Sequence, residues 1–175
     1  MENTTTTTTR PAHGRYTDNG IPKGSTSLTP FIAVSPAAQA LDFYTTVFGA
    51  TLISRTDLPG PDGTAQIAHA VLDFGHGRLE LGEPNPAFHL TRFSGGDDVD
   101  YSLGLFCPDV DAVVRRAVEH GATVREPVTD FVSGDRYASI RDPFGVRWSV
   151  MTRIEDISEE ESARRVAEWA ASLSG

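Results

Sequence analysis

Residues 33–55 read AVSPAAQALDFYTTVFGATLISR, and this stretch decides the fold. Pro36 suits the first turn of a helix, where a missing N–H costs no hydrogen bond. Ala37, Ala40, Leu41, Tyr44 and Val47 then recur at the spacing of one buried helix face. Gly49 stands where a left-handed cap would end that helix. Thr51 to Arg55 reads as a strand, and Leu28 to Val34, upstream, as another. Downstream, Pro59-Gly-Pro-Asp-Gly63 is a turn cluster. Gln66 to Phe74 and Arg78 to Leu81 read as two further strands joined by a Gly-His-Gly turn.

The same order returns later in the chain. Ser102 to Cys107 is a strand, and Val110 to His120 a helix with Val110, Val113, Val114 and Ala117 on its apolar side. Gly121 caps it. Ala122 to Val128, Tyr137 to Ile140 and Val146 to Met151 are strands, with Asp142-Pro-Phe-Gly145 as a tight turn before the last. Gly49-Ala50-Thr51 and Gly121-Ala122-Thr123 lie 72 residues apart (49 to 121), as do Pro36 and Pro108, and Ala40 and Ala112. A repeated element order with matched residues argues for two copies of one βαβββ module. Each copy has a sheet face that needs a partner layer. The expected class is α+β: two βαβββ modules plus a C-terminal helix.

The boundaries follow from composition. Residues 1–26, with Thr4 to Thr9 and then Gly, Pro and Asn without periodicity, read as a disordered leader. Residues 27–152 form a single domain, with module one at 27–83 and module two at 100–152. Residues 153–175 are a helical tail. There Ser158 and Glu161 have capping-box spacing, and Ala163, Val166, Ala167, Ala170 and Leu173 make an apolar stripe beside Trp169.

Hydrophobic residues make up 39% and aromatics 9% of the 175 residues, enough for a sizeable core. No apolar run approaches the ~20 residues that span a bilayer, so no membrane partner is expected. The net charge of −9 argues against nucleic acid and favours a cationic ligand. Cys107 is the only cysteine, which excludes an internal disulfide and a multi-cysteine zinc site. With no basic start before an apolar stretch, no secretory signal is expected and the cytoplasm is the expected compartment.

The quoted segment, with Asp42-Phe43-Tyr44 and Phe48-Gly49, resembles the opening of a vicinal-oxygen-chelate module. Residues 107–124, CPDVDAVVRRAVEHGATV, resemble the opening of the second. Residues 134–158, GDRYASIRDPFGVRWSVMTRIEDIS, are similar to the closing hairpin and tail of the PhnB-like branch of that superfamily, which holds glyoxalases, bleomycin-resistance proteins and dioxygenases. The resemblance spans Leu28 to Ser158. It implies that the two modules curl into a partly open barrel around a cavity, usually in a homodimer. It also implies four inward positions that hold a divalent metal in the enzymes. By motif these fall on Thr29, Glu80, Ser102 (or Tyr101) and Ser149.

Three of those four positions lack a carboxylate or imidazole, and a neutral hydroxyl is a poor ligand for a catalytic divalent ion. No metal or other cofactor is therefore expected; a shifted site using His69, His76 or His89 would be needed to restore one. The expected function is metal-independent binding of a small organic ligand, such as an antibiotic or an aromatic or cationic metabolite. The alternative is a lyase, isomerase or dioxygenase with Glu80 as general base or sole remaining metal ligand.

Strand alternation extends the candidate site. Phe31 shares a face with Thr29, and Phe106 with Ser102, as apolar lining. Arg78 shares a face with Glu80, as its salt-bridge partner or as a ligand contact. Arg147 shares a face with Ser149 and could take a carboxylate or phosphate. The resemblance also implies that the loop and hairpin carrying Phe131, Asp135, Arg136 and Tyr137 close one end of the cavity and contact the ligand. Trp148 should point the other way, into the core, and Cys107 reads as a small buried hydrophobe.

Overall fold

The computed structural model describes residues 10–60 and 63–173. The Thr4–Thr9 tract and two residues of the turn cluster, Pro61 and Asp62, lie outside the described residues.

Within the leader, β1 (Thr17–Asp18) and β2 (Ile21–Pro22) pair antiparallel around Asn19-Gly20. Both turn residues have positive φ, 47° and 86°. Asn-Gly is the residue pair that two-residue hairpins favour, so this part of the segment read as disordered carries a turn signal of its own.

Module one runs β3 (Phe31–Ala33), α1 (Ala37–Phe48), β4 (Thr51–Pro59), β5 (Ala65–Asp73) and β6 (Arg78–Gly82). Module two runs β7 (Leu103–Phe106), α2 (Val110–Glu119), β8 (Thr123–Phe131), β9 (Asp135–Arg141) and β10 (Arg147–Arg153). The two sheets have matching orders, β3-β6-β5-β4 and β7-β10-β9-β8. In each, the first strand lies parallel to the last and the other pairs are antiparallel. That is the repeat the 72-residue offset predicts. A 3-10 turn, Pro86–Phe88, lies in the segment joining the modules, and α3 (Glu159–Ser172) follows them.

The apolar periodicities fall where expected. Ala37, Ala40, Leu41, Tyr44 and Val47 are buried on α1, and Val110, Val113, Val114 and Ala117 on α2. Gly49 ends α1 at φ 72° with its N–H on the Tyr44 carbonyl. Pro36 is the cap residue rather than part of the first turn. The first-turn N–H of Ala37 is taken by a carboxylate oxygen of Glu83 at 2.6 Å, across from the end of β6. An anion at a helix N-terminus is stabilised by the orphan donors and the helix dipole.

One core serves both modules. Ile32, Leu72, Leu79 and Leu81 of sheet one and Ile140, Trp148 and Val150 of sheet two are all buried in it. Trp148 points into this core as expected, its ring 4.6 Å from that of Phe48 and 5.4 Å from that of Tyr44. Side chains this large contribute roughly 1.5–3 kcal/mol each on full burial. Arg116 of α2 crosses back to the Val47 carbonyl at 3.0 Å.

The tail helix α3 sits on the β8–β9 turn. Ser162 Oγ donates to the Ser133 carbonyl at 2.9 Å, and Trp169 meets Phe131 edge to face at 5.0 Å. Only half of the capping box closes. Ser158 Oγ accepts the Glu161 N–H at 3.1 Å, but the Glu161 carboxylate turns to Arg164 and Arg165 instead. No described helix is long and apolar enough to cross a membrane.

Candidate functional site

The outer strands of the two sheets, β3 and β7, line one cleft of about 960 Å³. Phe31 and Ala33 of β3 and Leu103 of β7 form its apolar walls. The turn Phe144-Gly145 closes one side. The segment between the modules closes another, with Phe93, Asp98, Asp100 and Tyr101. A recess of about 350 Å³ adjoins it over Ser102, Ser149, Ser139 and Tyr137, sharing Asp100, Tyr101, Ser102 and Arg147 with the main cleft.

The floor of the recess is a network of hydroxyls and one ion pair. Ser102 Oγ and Ser149 Oγ lie 3.1 Å apart, and register explains the meeting: Ser149 of β10 pairs with Gly104 of β7, two residues on from Ser102. Arg147 Nε donates to Ser139 Oγ at 2.5 Å and its Nη2 to Glu126 at 3.1 Å. Tyr137 Oη donates to the other Glu126 oxygen at 3.0 Å. Burial and that bond to Glu126 raise the Tyr137 phenol above its ordinary range. Burial also raises Tyr101, helped by the charges of Asp100 and Asp142. Both phenols are therefore neutral donors at neutral pH.

Glu80 stands in sheet one, and Arg78 is not its partner, contrary to expectation. Glu80 Oε2 lies 3.1 Å from Nε2 of His69, while Arg78 Nη1 reaches back to Ser25 Oγ at 3.2 Å. The reason is register. Glu80 pairs with Val71, so His69, two residues along β5, is its diagonal neighbour on the same face. Phe31 stacks on the His69 ring at 6.1 Å. Nothing in the local spelling of β6 announces a partner that comes from β5.

The remaining candidates separate. Thr29 bonds Thr26 Oγ1 at 2.8 Å, just before β3 begins. Phe106, 60% exposed, lies with Arg78 along a second groove of about 440 Å³. Phe131 is spent on Trp169. Arg136 is held by Asp111 at 2.7 Å and by Asp130 at 2.6 Å. Phe106, Phe131 and Arg136 are thus not among the residues that line the main cleft. The expected closing role of Phe131 and Arg136 gives way to α3 and to these ion pairs. What closes the cleft is the inter-module segment, where the sequence pointed only to His89 and Tyr101, each as an alternative metal position.

A divalent metal does not fit the four positions found by resemblance. Ser102 and Ser149 offer neutral hydroxyls engaged with each other, Thr29 is engaged with Thr26, and the single carboxylate, Glu80, is engaged with His69. Among the described residues no three His, Cys, Asp or Glu side chains gather as a chelating group. Cys107 is half-buried, and burial raises its thiol, which makes it a poor thiolate ligand.

The sequence model of the Glyoxalase/Bleomycin resistance protein/Dioxygenase superfamily matches residues 27–150. The chain belongs to this superfamily. An uncharacterized protein of Mycobacterium tuberculosis (strain H37Rv) is 34% identical over 155 residues, covering 86% of this chain and 88% of that one. Among solved structures, TioX from Micromonospora sp. ML1 is 27% identical with a TM-score of 0.54, covering 74% of this chain and 99% of TioX. The PhnB protein of Bacillus cereus shares the fold, with a TM-score of 0.57 at 16% identity, over 73% of this chain and 99% of its own. In this chain the cleft is lined by strands of both modules, β3 and β7.

Proposed function

We propose that the protein is a metal-independent binder that sequesters a small aromatic, cationic compound, an antibiotic or a metabolite, in the cytoplasm and as a homodimer. The observation that carries this is the contact between Ser102 and Ser149 at 3.1 Å, which spends two chelating positions on each other beside an open cleft. Phe31, Phe93, Tyr101 and Phe144 supply aromatic surface, and the charged lining is mixed, with Asp98 and Asp100 beside Arg92 and Arg147. Apolar walls with a few polar groups are what small-molecule sites use, and a net charge of −9 favours a cation at longer range.

A metal-independent lyase or isomerase is the second choice, favoured by the His69–Glu80 contact, which sets a carboxylate beside an imidazole on an open sheet face. Glu80 would then act as general base.

Thermal-shift screening against cationic antibiotics and metabolites tests the binder. A ligand held only by the folded state stabilises by about 2.7 kcal/mol at ~100-fold above Kd. Tyr101→Ala should abolish the shift for a true cleft ligand. Turnover of a bound compound that is lost in Glu80→Gln would replace the binder with the enzyme.

A further inference from the structure

We propose that residues 84–101 form a latched strap across the cleft, with Asp97 as the latch and Gly95-Gly96 as the pivot. The proposal rests on the cleft being the ligand site and adds how that site is closed. At its start the segment is folded on itself: Asn85 and Leu90 bridge, and Asn85 Oδ1 accepts the Ala87 N–H at 3.0 Å. At its end it runs into β7. Between these anchors it crosses module two at two points. Asp97 Oδ1 lies 2.8 Å from Nη1 of Arg125 and 3.6 Å from Nη1 of Arg141, and the Arg141 guanidinium also takes the Gly96 carbonyl. Arg141 lies over the Phe93 ring at 6.0 Å, and Phe93 rests on Gly145.

Gly95 and Gly96 have φ of 101° and 96°, and an added Cβ at either would meet nothing within 4 Å. Glycine is there for backbone freedom, not for space. Between residues 91 and 100 no residue is fully buried. The closed position is therefore held by charge and by one aromatic seat rather than by a core, which is the low-stability kind of segment that opens locally. The arginines are the more buried partners, with side-chain exposures of 25% and 27% against 71% for Asp97. The two sockets stay in place while the acid leaves.

The strap also supplies Phe93, Asp98, Asp100 and Tyr101 to the cleft, so its opening removes one wall. Among the ion pairs of the described residues, only those of Asp97 tie this segment to a sheet.

Amide hydrogen exchange over residues 91–101 and tryptic cleavage after Arg92 read the opening directly, on ligand-free protein. In Asp97→Asn both should accelerate about two- to fivefold at ~0.1 M NaCl, as loss of a paired exposed charge allows. Exchange in β5, β6, β9 and β10 should stay unchanged. Wild type should approach the variant's rate at ~1 M NaCl, where the screening length falls to about 3 Å, and the variant should lose most of its salt dependence. Arg125→Gln should give a smaller acceleration of the same segment. Unchanged rates in Asp97→Asn, or acceleration spread evenly over both sheets, would overturn the latch. Because no ligand is used, that failure is distinct from a failed ligand screen.

Discussion

Tyr44 Oη donates a 2.7 Å hydrogen bond to Asp142 Oδ2, joining the helix of the first module to the closing turn of the second across 98 residues. The same Asp142 oxygen accepts Trp148 Nε1 at 3.0 Å, and Oδ1 accepts the backbone N–H groups of Phe144 and Val146, both at 2.9 Å. Burial leaves the Asp142 carboxyl above its ordinary value, and these four donors offset part of that rise. A buried carboxylate is tolerated only with such donors. Tyr44→Phe removes one of them and should cost about 1.5–3 kcal/mol, read as a lower urea midpoint with unchanged slope. Asp142→Ala should cost more, since it strands four donors at once. Equal midpoints for Tyr44→Phe and wild type would refute the role of this bond.

Acid should loosen the tail helix before it unfolds the domain. Arg164 and Arg165 hold the Glu161 carboxyl down to about 2 from 4.5. A depressed carboxyl contributes stability that is complete above its unfolded value and is lost as pH falls toward the folded one. The loss therefore runs between about 4.5 and 2. Trp169 rests on Phe131, so its fluorescence should change in that window. Glu161→Gln should show the loosened signal already at neutral pH and no step in that window.

Gly145 seats Phe93. An added Cβ would stand 2.2 Å from Phe93 Cδ1, and φ is 94°. Gly145→Ala should lose about 1–2 kcal/mol from the backbone conformation alone, and more from displaced Phe93. In a double-mutant cycle, Phe93→Ala should cost less in the Gly145→Ala background than alone. Additive costs would show that the two do not touch in solution.

Metal should be dispensable. Dialysis against EDTA should leave the melting temperature unchanged, and elemental analysis of purified protein should find no stoichiometric manganese, iron, nickel or zinc. A bound ion at one per chain, lost together with thermal stability, would return the protein to the chelating members of its superfamily.

The βαβββ repeat was legible because its signals are local. Helix period, the caps at Gly49 and Gly121 and the Asp142-to-Gly145 turn depend on residues a few positions apart, and all three are in place. The chemical character of the would-be chelating positions was legible too, because a hydroxyl is a hydroxyl wherever the strand carries it.

Partnership was not legible in the same way. Alternation put Arg78 and Glu80 on one face, yet Glu80 meets His69 because β5 runs antiparallel beside β6 and offers it a diagonal neighbour. β5 is itself shifted against β4 by bulges near Ile53 and Thr56, and such a slip re-aims side chains without any mark in the local pattern. Phe131 and Arg136 were spent on the tail helix and on acidic neighbours, and the wall of the cleft came instead from a segment with no periodicity. The sequence alone determined the elements of the two modules, their order and the side-chain type each position carries, because those are set by short-range sterics and residue identity. Only the tertiary structure decided which residues share a cavity, because strand register and loop path depend on contacts between positions far apart in the chain.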